Sequence, residues 1–360
     1  MNSKQIKSAL STFRAADVSI IKDDATRAQA QKLQAKQKGF TLLELLIVIT
    51  LIAVLATAAL TAYNGIGETA SDTAAANNLL DAQSALNNYR AIEAGYPDQF
   101  DNLANASGTD ADGMATLRAP ETSAFFGQWV AVDAGTVGSV WKAVGDSMKA
   151  VGVEELQALT NATTFDVGYV PNLALNESYP LTNDVAPSAR GTELELWAND
   201  TSGALYGGVS TTTAAVSIVP SSTTGAAGDC TAGLVSITDS FDGTTADENQ
   251  RLNLINDAMD DDACVLVLAV GFGKDVPGST SGDKVEISQV PTLGTNNVNP
   301  ATHYARAVAL FQVGADGSDG SIEDGVISAS EIFRKARLVG IVDPEGRQRD
   351  EVIAAANDAG

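Results

Sequence analysis

The sequence predicts an α+β protein, with a long N-terminal α-helix (its first half membrane-spanning) packed on a mainly antiparallel β-sheet globular head. Three observations carry that expectation. Between Leu45 and Gly67 no side chain is charged, and about 20 apolar residues suffice to cross a bilayer as a helix. From Asp72 to Tyr89 apolar and small residues recur at helical spacing, until Gly95-Tyr96-Pro97 ends the pattern. Beyond it, short runs rich in Val, Ile and aromatic residues alternate with Gly, Asn, Asp and Pro, the punctuation of antiparallel strands.

Charge orders the chain along its length. The 360 residues hold 22 Lys/Arg against 45 Asp/Glu. Residues 1–39 carry eight of those bases against three Asp, a charge of +5, leaving 14 bases against 42 acids, or −28, for the rest. Positive charge before a membrane helix holds that end in the cytoplasm, so residues 1–39 read as a polar, transiently helical cytoplasmic leader. The acidic remainder falls on the far side. Such a surface repels nucleic acid, and no direct nucleic-acid binding is expected of it.

The segment that joins these parts is the most specific in the chain. Lys36-Gln-Lys-Gly39-Phe40-Thr-Leu-Leu-Glu44-Leu45 sets a basic stub, a glycine and a phenylalanine before the apolar run, with one glutamate inside it. A carboxylate in hydrocarbon costs at least about 2.5 kcal/mol, so Glu44 calls for a function. An ordinary signal peptide, cut near Ala56-Thr57-Ala58, would have a shorter and uncharged apolar core. A plain single-span anchor with an incidental glutamate is the other alternative.

The motif Gly39–Leu45 resembles the prepilin processing signal of type IV pilins and type II secretion pseudopilins. The resemblance implies cleavage after Gly39 by prepilin peptidase, methylation of the new terminal Phe40, and pairing of Glu44 with a terminal amine during assembly. It also implies an inner-membrane assembly platform and other pilin subunits, in a homo- or heteropolymer, as partners. The physics agrees, since an ammonium and a carboxylate in low dielectric are each far costlier alone than together. The family's proline after the span is absent, and Thr61 stands in its place, although Tyr63 is kept. Gly65 and Gly67 are the alternative weak points of the helix.

The elements follow in order. Residues 40–95 form the long helix, with 40–62 as transmembrane segment and filament core. Leu79, Leu86 and Tyr89 then share one face, and Ala76, Ala82 and Ala85 permit close approach. The turn at Ala94–Leu103 also resembles the one that follows the long helix in many pilins. Residues 96–360 form the acidic head. Short helical patterns are read at Val140–Met148 and Val153–Thr160. Strands are read at Phe165–Val170, Leu194–Trp197, Val216–Val219, Leu234–Thr238, Val265–Val270, Val285–Val290 and Tyr304–Val313. Residues 199–229, rich in Ser, Thr, Gly and Ala, read as an exposed loop.

Few constellations carry chemistry. Cys230 and Cys264 both lie in the exported part, where an oxidising compartment favours a disulfide over two buried thiols. A cysteine pair in the C-terminal half also resembles pilins, in which it ties a variable loop to the sheet. The single histidine, His303, leaves no basis for most hydrolase triads and reads as a surface or edge-strand residue. Gly271-Phe-Gly273-Lys274 lacks the spacing of a phosphate loop and reads as a turn. Asp316, Asp319, Glu323 and Asp324 alternate with Ser and Gly in a pattern able to wrap Ca²⁺, though not in EF-hand register. No other cofactor is called for.

The sequence therefore predicts a non-enzymatic structural subunit, a minor or unusually large pilin of a type IV pilus-like filament. It would sit in the inner membrane as a single-pass prepilin and later at the cell surface. The 321 residues from Phe40 onward favour a minor pilin with an adhesive or capping head over a major one. A type II secretion pseudopilin, or an exported binding domain that never polymerises, are the rival readings.

Overall fold

A computed structural model describes residues 8, 11–13, 15–35, 42–105, 125–132, 139–159, 191–195, 213–221, 230–237, 264–273, 290, 292–294, 298–300 and 303–358. The chain divides into two units, Met1–Asn64 and Gly65–Gly360. Helix α1 (Asp24–Ala35) in the first unit begins where Asp23 accepts from the Thr26 N–H at 3.0 Å, satisfying one orphan donor of the first turn. Arg27 Nε reaches back to the Ile21 carbonyl at 2.8 Å, and Gln34 Nε2 donates to the carbonyls of Phe13 and Ala16. A defined helix thus stands where the sequence suggests only a transiently helical leader.

Helix α2 (Leu42–Glu93) runs for 52 residues and is helical through Thr61, Gly65 and Gly67. Its apolar part tolerates Thr50 and Thr57 because their hydroxyls donate to the carbonyls of Ile47, Ala53 and Val54 in the preceding turn. In the second unit its buried positions are Asp72, Ala75, Ala76, Leu79, Ala82, Leu86 and Tyr89. That three-and-four spacing makes one stripe, and the small alanines keep the helix close to the sheet.

The exit from α2 is locked by backbone bonds. Tyr96 N–H donates to Val151 O at 2.6 Å. Asp98 Oδ1 accepts from the N–H groups of Gln99, Glu154 and Glu155 at 2.8–2.9 Å. Burial pushes the Asp98 carboxyl above its usual range, and those N–H groups oppose the shift. Gly152 passes under the turn with φ +100°, where a Cβ would lie 2.7 Å from Tyr96 O. The turn expected at Gly95-Tyr96-Pro97 is present, but Phe100–Leu103, read with it as the turn Ala94–Leu103, belongs to strand β1 (Phe100–Asn105).

The remaining elements are β2 (Gly127–Val132), α3 (Val140–Lys149), β3 (Glu155–Leu159), β4 (Gly191–Glu195), β5 (Thr213–Val219), β6 (Thr231–Ala232), β7 (Val235–Ser236), β8 (Val265–Phe272), β9 (Ala307–Ala315), β10 (Val326–Ile327), β11 (Ile332–Val342) and α4 (Arg349–Asp358). The main sheet runs β11-β9-β8-β1-β3-β4, with β5 also on β8 and β2 on β5. Its ladders are antiparallel except β1 with β3, and the small sheet β10-β6-β7 adds one parallel ladder, β10 with β6. The α+β expectation holds. Helix α3 matches its predicted span, whereas the helix read at Val153–Thr160 is strand β3. Asp98 captures two N–H groups there, and Leu156 is fully buried between β1 and β4.

Strand β8 (VLVLAVGF) is buried along its whole length, which explains its unbroken apolar sequence. Leu266, Leu268, Val270 and Phe272 of β8 belong to the same core as the α2 stripe, with Ala307, Ala309, Phe311 and Val313 of β9. Along one side β8 pairs first with β5 at Val267 and Leu268, then with β1 at Val270 and Gly271. The two strands diverge from this fork, and side chains fill the gap. Asn102 Nδ2 donates to Ala215 O at 2.9 Å, Ser217 N–H donates to Asn102 Oδ1 at 2.9 Å, and Leu103 N–H donates to Ser217 Oγ at 3.0 Å. Ser217 Oγ in turn donates to Ala269 O.

Within the stretch read as a loop at 199–229, Thr213–Val219 is strand β5, which contains the Val216–Val219 read as a strand, and those four residues are buried. Strands read at Phe165–Val170 and Val285–Val290 lie outside the described residues save Val290, which sits in a bend. Strands β2, β6, β10 and β11 and helix α4 have no counterpart in the sequence reading. His303 closes a tight turn, its Nδ1 accepting from Asn299 N–H at 2.9 Å.

Candidate functional site

The N-terminal site begins with the surface of α2. Leu42–Leu60 is apolar enough to cross a membrane by length and composition, with mean hydropathy 2.6, and none of it is buried within the chain. Even its least exposed large side chain, Val48, is 47% exposed. A helix that is apolar on every side finds a low free energy only in lipid or among other helices. Glu44 sits in the first turn of this helix, where the unsatisfied N–H groups favour a negative charge. Gly39 and Phe40 lie outside the described residues.

The head holds the disulfide that the sequence leads one to expect. Cys230 and Cys264 are joined, with Cα atoms 5.4 Å apart. Cys230 precedes β6 and Cys264 precedes β8, so the bond fastens the small sheet to the central strand of the large one. Ser221 completes the join, since its N–H donates to Ile237 O and its Oγ accepts from Val265 N–H at 3.2 Å.

The acidic loop does not gather its carboxylates. Asp316 Oδ2 accepts from Gly325 N–H at 2.6 Å, Asp319 Oδ1 from Ser321 N–H at 2.8 Å, and Asp324 Oδ1 from Val326 N–H at 2.9 Å. Glu323 is exposed. Among the described residues no group of three or more His, Cys, Asp or Glu side chains is placed to hold a metal ion. The loop folds around an anion, Glu331, which the sequence reading passed over. Its carboxylate accepts from Gly317 N–H, Ser321 Oγ, Ser328 N–H and Ser328 Oγ at 2.7–2.8 Å. Burial alone would raise its pKa, but these bonds hold it below the usual value. The turns of this loop present N–H donors, and its carboxylates accept from them.

Two buried charge clusters were also invisible in the sequence. Asp101, Tyr304 and Arg306 are all at most 1% exposed. Tyr304 OH and Arg306 Nη1 both donate to Asp101 Oδ2, at 2.7 and 2.5 Å. Burial raises the Asp101 pKa while Arg306 and Tyr304 oppose it, and burial with the nearby carboxylate pushes Tyr304 well up. Near the C-terminus Asp343 accepts from Arg347 Nε at 2.9 Å and from the N–H groups of Glu345 and Arg347. Burial raises its pKa to about 6. The third missed group, Arg334, Lys335 and Arg337 on β11, is exposed, and its signal was present as a basic run in an acidic head.

The family profile described as the prokaryotic N-terminal methylation motif matches residues 34–60. No curated protein and no solved structure matches the chain. The match covers the basic stub, Gly39, Phe40, Glu44 and the bare apolar helix, and stops short of the head. Residues 34–60 carry the prepilin-type signal that marks type IV pilins and pseudopilins.

Proposed function

We propose that this chain is a structural subunit, a minor or unusually large pilin, of a type IV pilus-like surface filament. The observation that carries the reading is an apolar helix bare on all sides, directly within the matched motif, with its one carboxylate in the first turn. Prepilin peptidase cuts after Gly39, and Phe40 becomes the methylated terminus. The subunit waits in the inner membrane until the assembly platform transfers the helix from lipid to a bundle of like helices. Each apolar face then exchanges hydrocarbon for neighbouring side chains, with little change in burial free energy. Selectivity comes from charge, because Glu44 neutralises the terminal ammonium of Phe40 on an adjacent subunit. The head has no part in catalysis.

Glu44→Ala tests the reading. The variant is expected to insert and be processed as before, yet to leave at least tenfold less protein in fibres sheared from the cell surface. Undiminished fibres would sink the proposal. Mass measurement of the mature chain is expected to give a terminus at methylated Phe40.

A further inference from the structure

Strand β11 breaks step with its neighbour where its charges stand. Ile332 pairs with Gly314 and Arg337 pairs with Gln312, so five steps on β11 face two on β9. The three surplus residues form a wide bulge, and bulges re-aim side chains. Arg334, Lys335 and Arg337 all emerge exposed from it, while Ala336 alone turns inward. The Arg337 guanidinium lies 4.4 Å from the centre of the Phe333 ring, a stacking contact that holds it across the bulge.

No described carboxylate pairs with these three cations. Of the other described bases of the head, Lys142 pairs with Asp146, Lys149 with Glu154, Arg306 with Asp101, and Arg347 with Asp343 and Glu345, while Arg90 donates to the Tyr96 hydroxyl and Arg349 is exposed at the start of α4. From Phe40 onward acids outnumber bases by 42 to 14. Three exposed cations within four residues, paired with no described carboxylate, are therefore a local reversal of sign in such a chain. We propose that this bulge is a docking surface for the acidic head of a second copy of the same chain. The inference rests on the filament reading, which brings heads of like negative charge side by side. Screening limits exposed charges to about 8 Å at physiological salt, so the cations act only in direct contact, where they offset repulsion and select an orientation.

Carbodiimide, which joins an amine to a carboxylate in contact with it, tests this on the full chain in cells. The expected product is a covalent dimer in which Lys335 is linked to an Asp or Glu of a second copy. The triple variant Arg334→Glu, Lys335→Glu, Arg337→Glu is expected to insert normally but to give at least fivefold less sheared fibre. Arg334→Lys with Arg337→Lys is expected to keep most of the yield. Lys335 cross-linked to no second copy, or to an anionic polysaccharide or nucleic-acid component instead, overturns the proposal. So do fibres of the triple variant with wild-type yield and salt resistance. The two readings fail differently, because fibres that require Glu44 yet ignore the triple reversal condemn only this one. Surface protein indifferent to Glu44→Ala condemns the filament reading.

Discussion

At Gly271 a single hydrogen atom decides whether the core closes. An added Cβ would lie 1.6 Å from the Tyr304 hydroxyl oxygen, and that hydroxyl is fixed by its bond to Asp101. Gly271→Ala is expected to destabilise the head by roughly 2–4 kcal/mol through overpacking and a displaced buried donor, read as a loss in melting temperature. Gly67 is the opposite case. Nothing lies within 4 Å of a Cβ there, so Gly67→Ala should add up to about 1 kcal/mol of helix stability. If the filament needs that turn to soften, the same change lowers fibre yield without harming insertion. Arg306→Met leaves the fully buried Asp101 without its cation and is expected to cost about 3–5 kcal/mol. Asp101 and Arg306 stand 205 positions apart, and nothing in either local sequence announces the other. Glu44, by contrast, stands in the first turn of a helix whose apolar pattern is complete within its own neighbourhood.

Among the elements, the sequence reading worked where a pattern is complete within one element. Helix α2, helix α3 and the apolar strand β8 each declare themselves by periodicity or by continuous burial. It failed at β3, whose residues suit a helix as well as a strand, because the choice is made by Asp98 from another segment. It also missed β11, whose exposed bases conceal a strand. The disulfide is an element-scale staple. In the chain-entropy account, closing a loop of about 35 residues contributes roughly 4 kcal/mol, and Cys230→Ser with Cys264→Ser should lose most of it. Denaturant unfolding of the full chain in detergent measures the loss.

The loop from β11 to α4 adds a pH response. Asp343 has an ordinary value of 3.8, raised by burial to about 6, so the folded state holds the proton more tightly. Its contribution to stability is complete below pH 3.8 and is lost as pH rises through about 6. The window is worth about 3 kcal/mol at 1.36 kcal/mol per unit. Asp343→Asn should flatten the dependence of melting temperature on pH between about 4 and 6.5. An unchanged slope would remove this group as the cause.

For the whole molecule, the dominant quantity is charge, −23 overall and −28 after the leader. A head so charged stays soluble on its own and resists crowding, which is why local exceptions such as the β11 bulge acquire meaning. The sequence by itself determined the N-terminal signal, the membrane-competent helix, its amphipathic continuation and the sign of the surface. Each of these depends on residues within a few turns of one another. Only the tertiary structure decided the fork of β1 and β5 on β8, the Asp101–Arg306 pair, and the use of the acidic loop to surround Glu331. Those depend on groups that meet from distant positions, where hydrogen bonding in a buried setting selects among partners that composition leaves equivalent.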